Sequence, residues 1–325
     1  MYFMKKIGRK LEHYYMLLRR KIVRPIINNR KLAYFMSKNC LKIYLAMFYE
    51  NWVGRRMNYR HPQDMSQELI KLSYLNSRDE KMRKLIPMCT DKYAVREYIK
   101  SKGYEDILNE LYGVYDNVED IDFDTLPNQF VMKMTNACGL NWVCTDKSKA
   151  DWQTIKQMFA EWLKNDDFAW ETGEWQYAMI KPRIIVEKYL KDLGETSLVD
   201  YKLHVIKGKA YGFFIGYNRD TDIMHNATQR GVCFDCYDTD WNRTEDILPK
   251  WHLQRQLIPE PKSLKRMIQI AEDCSKEFAY CRFDMYDVDG QIIFGEMTFS
   301  PHGGVLDYYT DEYQKKMQQF YHEQK

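Results

Sequence analysis

Two carboxylates, Asp284 and Glu296, lie in "RFDMYDVDGQIIFGEMTFSP" (residues 282–301), one in each of two apolar runs flanking an Asp-Gly turn signal. The apolar pattern needs neither. Whether they act together depends on the turn, because successive strand residues face opposite sides of a sheet. A two-residue turn at Asp289-Gly290 would pair Asp284 with residue 295 and send the carboxylates to opposite faces. A three-residue loop, Val288-Asp289-Gly290, puts Gly290 at the left-handed position such loops favour. Arg282 then lies opposite Glu296 and Asp284 opposite Phe294. All four share one face, with the carboxylates as diagonal neighbours at roughly 6–8 Å. We expect this arrangement, which suits one or two Mg²⁺ ions taking carboxylate oxygens together with phosphate and water. On spacing alone, a plain exposed hairpin would read the same way. The next residues favour the metal: "GEMTFSPHGG" supplies Thr298, Pro301 and Gly303-Gly304, small residues that let phosphate approach the backbone.

The elements that must carry these residues are readable by period. "QFVMKMT" reads as a strand and "LNWVCTDK" as its partner. "DWQTIKQMFAEWLKND" is an amphipathic helix opened by Asp151. "RIIVEKYL" follows, and then "DYKLHVIKGKAYGFFIGY", a hairpin around Lys207-Gly208-Lys209. "SLKRMIQIAEDCSKEF" is a helix before the opening pair of strands. Upstream, residues 1–60 read as helical with breaks at Pro25 and Gly54. Ser66 is expected to cap the helix in "HPQDMSQELIKLSYL", and "CTDKYAVREYIKSKG" runs helically to Gly103. Residues 218–261 read as a long polar and aromatic loop, and such loops are more often functional than not. Strands and helices mixed in this way give an α+β fold of several lobes.

The 325 residues, 45% of them hydrophobic, are enough for two or three lobes with substantial cores. The net charge of +3 hides an asymmetry. Residues 1–61 hold 15 Lys and Arg against two acids, which leaves the remainder at −10. The arm has neither the apolar run nor the cleavage site of a secretory signal. Its most apolar stretch, "LAYFMSKNCLKIYLAMFYENWV", is interrupted by Lys38, Lys42 and Glu50. It reads as an amphipathic helix, lying on an anionic membrane surface or docked on its own domain. The eight cysteines show no disulfide rhythm. "CFDC" (Cys233, Cys236) is half a zinc motif that nothing completes.

From about residue 50 to 315 the sequence resembles the TupA-like ATP-grasp family of bacterial polysaccharide clusters. The resemblance rests on "NYRHPQDMSQELIKL", "DKYAVREYI", "IDFDTLPNQFVMK", "IIVEKYL", "DYKLHVIKGK" and "CRFDMYDVDGQIIFGEMTFSPHGG" in that order. It implies an ATP-grasp fold with two α+β lobes clasping MgATP, preceded by the basic helical segment. Asp284 and Glu296 match the acidic metal ligands. Thr298 stands where many members of the superfamily carry Asn as a third ligand. Arg282 matches an arginine held on the acyl phosphate, and Lys133 the strand lysine on the ATP phosphates. Arg96 resembles the other basic phosphate contact, and Glu187 falls on the hinge strand that reads adenine. Asp200 and Lys202 resemble a pair facing substrate or phosphate. Asn136 and Gly139, in the poorly glycine-rich loop "TNACGLNW", are phosphate neighbours.

The implied organisation is a basic arm (1–61), a reduced pre-ATP-grasp region (62–130), a small lobe (131–185) and a large lobe (186–325). The large lobe carries an acceptor-site insertion at 218–261. The implied activity is ATP-dependent carboxylate–amine ligation through an acyl phosphate. It would join an amino acid or other amine to a uronic-acid-bearing glycan or its precursor, with ATP and Mg²⁺ as cofactors and no nucleic acid partner. The expected location is cytoplasmic, peripheral on the inner membrane face. Two rivals remain: a phosphotransferase on a sugar hydroxyl, and a non-catalytic membrane-associated assembly factor.

Overall fold

The computed structural model of the chain describes residues 2–164, 167–190, 198–217, 232–248 and 256–324. Three helices come first: α1 (Tyr2–Asn28), α2 (Arg30–Asn39) and α3 (Leu41–Val53). Pro25 does not break α1, which runs three residues further. The chain turns instead at Asn29, whose side chain accepts from the Leu32 amide at 3.1 Å and caps α2. The stretch expected to form one amphipathic helix is therefore two, broken at Cys40. Much of α3 is core, with Tyr44, Leu45, Phe48 and Tyr49 all buried. Arg19 pairs with the buried Glu50 within the arm, while Arg55 binds Asp64 at 3.3 Å and Asp311 at 3.1 Å, so the basic arm is docked on its own body.

Helix α4 (Met65–Asn76) is capped by Asp64, which accepts from the Gln67 amide at 2.9 Å. Ser66, the expected cap, points inward and donates to Gln314 at 2.6 Å. The next expected helix is two, α5 (Glu80–Thr90) and α6 (Val95–Ser101), divided where Asp91 leaves helical backbone. A four-stranded antiparallel sheet follows, in the order β1 (Leu111–Tyr115), β4 (Ile184–Lys188), β2 (Phe130–Met134), β3 (Asn141–Cys144). It draws β1 from the stretch expected to precede the small lobe, so this sheet spans 111–188. Helices α7 (Trp152–Trp162) and α8 (Asp167–Thr172) lie between β3 and β4, and Asp151 caps α7 as expected.

The larger sheet has six antiparallel strands in the order β10-β9-β5-β6-β7-β8: β5 (Asp200–Ile206), β6 (Lys209–Tyr217), β7 (Cys233–Tyr237), β8 (Arg243–Thr244), β9 (Tyr280–Val288) and β10 (Gln291–Thr298). Within 218–261, then, residues 233–237 and 243–244 are strands of the sheet, while 218–231 and 249–255 lie outside the described residues. Cys233 and Cys236 belong to different apolar clusters, one on each side of the sheet, so they form no half-site. One sheet face packs on α5, α6 and α9 (Leu264–Ser275) through Leu203, Val205, Phe283 and Met285. The other packs on α4 and α10 (Asp311–Glu323) through Ile206, Phe214 and Tyr280. That second face is apolar only at one end. Along β5 it reads Ile206, His204, Lys202, Asp200, and there the chemistry begins.

Candidate active site

The turn between β9 and β10 has two residues, not three. Asp289 and Gly290 both take left-handed backbone (φ 54° and 86°), and Gln291 pairs with Val288. Unbroken alternation would then separate the carboxylates. A bulge at Gly295 restores them to one face: Phe294 pairs with Met285, Gly295 is skipped, and Glu296 pairs directly with Asp284. Glycine is required there because an added Cβ would lie 2.9 Å from the Asp284 carbonyl oxygen. The expected register was wrong, while the shared face stands through another device. Arg282 accordingly lies opposite Thr298 rather than Glu296, and Asp284 opposite Glu296 rather than Phe294.

Strand β5 on the other side of β9 sets Lys202 opposite Asp284 and His204 opposite Arg282. Arg282 donates to both oxygens of Asp284 (2.8 and 2.7 Å) and to Glu296 and Thr298 (3.3 Å each). Thr298 donates to Glu296 at 3.2 Å. The Lys202 ammonium lies 2.6 Å from Asp284 and 3.5 Å from Asp200. Burial opposes ionisation of Glu296, but Lys92, Lys202 and Arg282 outweigh it and hold this carboxyl below its usual range. Asp284 is closed off at 4% side-chain exposure, whereas Glu296 keeps 27% and forms an open wall. Burial, reinforced by Arg282 and Lys202, pushes His204 down to about 3. It is a neutral imidazole between the Tyr280 and Tyr309 hydroxyls (2.9 and 2.6 Å), with no role as a base.

A second cluster stands on the small sheet. Lys133 on β2 reaches Glu187 on β4 at 2.8 Å, and Arg96 of α6 reaches the other oxygen of Glu187 at 3.3 Å. Arg96 also donates to the Asn109 carbonyl at 2.8 Å. The loop after β2 connects the clusters. Lys92 donates to the Ala137 carbonyl at 2.6 Å while acting on Glu296. Asn136 is buried, and its carboxamide oxygen has no partner among the described residues. Gly139 has φ +75° with open space around it, so backbone conformation and not close approach requires the glycine. Cys138 is exposed in surface, yet burial by surrounding protein pushes its thiol up to about 11.

Three contributors escaped the sequence reading. Lys92 sits inside the "DKYAVR" motif, so its signal was available. Tyr308, whose hydroxyl is buried without a partner among the described residues, lies in the field of Arg282 and Asp284. Glu174 left no trace: it sits among ordinary polar residues but is buried, and burial pushes it up to about 7.

A profile of TupA-like ATP-grasp proteins matches residues 68–320. The chain belongs to the TupA-like ATP-grasp family. Membership makes the two sheets the lobes of an ATP-grasp fold and makes this an ATP-binding family. No curated protein matches the chain. Among solved structures it is similar to a D-alanine–D-alanine ligase from Bacillus anthracis complexed with ATP, at 17% identity and a TM-score of 0.43 over 71% of this chain and 61% of that one. A D-cycloserine synthetase is similar at 13% identity and TM-score 0.44, over 82% of each chain. An L-amino acid ligase from Bacillus licheniformis is similar at 12% identity and TM-score 0.43, over 78% of this chain and 54% of that one. The TupA-like chain thus spans about three fifths of the length of the first of these ligases.

Two carboxylates with a hydroxyl beside them form a hard oxygen donor set, and no group of three or more His, Cys, Asp or Glu arranged to hold a metal ion is found among the described residues. Such a set fits an ion completed by phosphate oxygens and water, as Mg²⁺ is, and does not fit a closed protein cage. The unpartnered Tyr308 hydroxyl beside it fits the same view.

Proposed function

We propose that the chain is an ATP-dependent carboxylate–amine ligase acting in surface-polysaccharide biosynthesis. Arg282, held between Asp284 and Glu296 on the cleft wall, is the observation that carries this reading. A carboxylate is a poor electrophile until phosphorylated, and an acyl phosphate carries charge that a fixed guanidinium can neutralise. Asp284 and Glu296, with Thr298 beside them, would hold Mg²⁺, whose chemistry is to offset charge on the ATP phosphates. Lys133 and Arg96 would take the phosphates from the small sheet, with Asn136 and Gly139 in the loop above them, and Glu187, paired with both cations, would lie on the strand that reads adenine. Lys202 and Asp200 would border the acceptor, the carboxylate of a uronic-acid-bearing glycan or precursor.

D-glucuronate with MgATP and hydroxylamine should yield a hydroxamate, ADP and free phosphate. A stable sugar phosphate formed without any amine would establish the rival, phosphoryl transfer to a hydroxyl, which Glu174 could also serve by accepting the hydroxyl proton.

The arm motivates a location on the cytoplasmic membrane face. Among the described residues, nine of the fourteen exposed large hydrophobic side chains fall between Tyr14 and Trp52, among exposed basic residues such as Lys21, Arg24 and Lys31. No helix of the described residues is long and apolar enough to cross a membrane. Each basic residue near an anionic surface contributes about 1 kcal/mol. Sedimentation with phosphatidylglycerol vesicles but not with neutral phosphatidylcholine vesicles is the expected result; equal binding to both would end the idea.

A further inference from the structure

Nine Asp or Glu residues are buried among the described ones; seven of them form ion pairs with Lys or Arg, and an eighth, Glu68, lies 2.9 Å from the His322 imidazole. Glu174 is the ninth. Burying a carboxylate without a cation is costly, and such groups concentrate where a proton must move. Its position supports that use. On β10 the cleft face carries Glu296 and Thr298, and Ser300 continues the alternation one step beyond. Ser300 donates to Glu174 at 3.4 Å and accepts from Gln176 at 3.0 Å. The Trp175 indole donates to the Ser73 carbonyl at 3.1 Å and anchors this segment in the core. From the other side, Gly303 (φ +63°) presses so close that a Cβ would lie 2.5 Å from the Thr172 carbonyl. Glu174 is therefore a buried carboxylate at the end of the row that carries Glu296.

We propose that Glu174 is the catalytic base that takes the proton from the ammonium group of the incoming amine, an inference that rests on the ligase reading above. Glu174 accepts one proton from R–NH₃⁺, and the freed lone pair attacks the acyl-phosphate carbon. The C–N bond forms, the bond from carbon to the bridging phosphate oxygen breaks, and phosphate leaves with that electron pair. The second N–H proton goes to the departing phosphate, and Glu174 returns its own to solvent. Burial leads in raising this carboxyl to about 7, with Glu296 adding to it, while the hydroxyls of Thr172 and Ser300 and the His302 imidazole oppose. Tyr177 and Cys138 are the other titratable neighbours in its field, both held protonated at neutral pH. A carboxyl poised near neutrality is matched to accepting and then releasing a proton.

The experiment compares two nucleophiles on the full chain with D-glucuronate and MgATP. L-alanine arrives as an ammonium and needs a base, whereas hydroxylamine is already neutral near physiological pH. Glu174→Gln should lower the ratio of amide to hydroxamate about 100-fold. Raising the pH, which deprotonates the amine without help, should recover that ratio. Glu174→Asp should restore part of the amide rate. Melting curves of both variants establish that they fold. Equal loss of both products, or an unchanged ratio, would overturn the role of Glu174 while leaving the ligase standing. A wild-type protein that makes neither product would remove the ligase reading, and this inference with it.

Discussion

The two charge clusters are built from the same residue types and are opposite in balance. On the small sheet, one carboxylate, Glu187, faces two cations, Lys133 and Arg96, which leaves one positive charge over. On the large sheet, three carboxylates, Asp200, Asp284 and Glu296, face two cations, Lys202 and Arg282, which leaves one negative charge over. The first balance suits an anion and the second suits a cation. A nucleotide triphosphate with its metal presents both, so a cleft between such clusters has complementary walls. Lys92, on the strap between α5 and α6, moderates the negative wall without closing it.

The largest expected effect comes from breaking the negative wall at its centre. Arg282→Ala removes the guanidinium that spans Asp284, Glu296 and Thr298, and should lower hydroxamate formation by about 10²–10³. Nucleotide affinity should fall far less. Equal losses in titrations of ATP binding and of product would place Arg282 in the nucleotide site instead.

A smaller effect concerns the isolated carboxylate. The folded-state pKa of Glu174, about 7, lies above its ordinary value of 4.5. Its stabilising contribution is therefore complete below that ordinary value and is lost as pH rises through about 7. The loss is about 3 kcal/mol. Denaturant unfolding of wild type and Glu174→Gln across this window should differ by that slope, and parallel curves would contradict it.

Gly295→Ala tests the device that aligns the negative wall. A methyl group 2.9 Å from the Asp284 carbonyl must push β9 and β10 apart, at about 1–3 kcal/mol of stability, read as a lower melting temperature. Unchanged melting would show that the strands give way freely there.

The smallest effect sharpens the contrast between the walls. Lys133→Met should weaken ATP binding about tenfold, the worth of one charge-assisted hydrogen bond, at any Mg²⁺ concentration. Glu296→Gln should instead raise the Mg²⁺ concentration needed for half-maximal binding of the nucleotide. Identical signatures from the two would erase the distinction.

Much of this architecture was legible in the residues, for reasons that also explain what was not. The β5–β6 hairpin, α7 and α9 follow a clean period, so local preference and tertiary packing agree there. Helix α3 misled because its one lysine, Lys42, marks only its rim, while its interior faces are spent on the protein's own core. Strand β7 hid inside a polar stretch because both faces of a central strand are covered and no alternation survives. Glu174 was invisible because burial is a tertiary property, and "ETGEW" reads as solvent-facing.

Strand β10 can be viewed as a sentence read in two frames. Before Gly295, Ile292 and Phe294 face the core on the α9 side. After it, the even-numbered residues Glu296, Thr298 and Ser300 face the cleft, and Met297 and Phe299 take over the core. Pairing Gly295 regularly with Asp284, without the bulge, would alter no reactive side chain. It would nevertheless swing Glu296 and Thr298 into the apolar layer and bring Met297 and Phe299 into the cleft, so the chemistry of the strand depends on the residue that carries none.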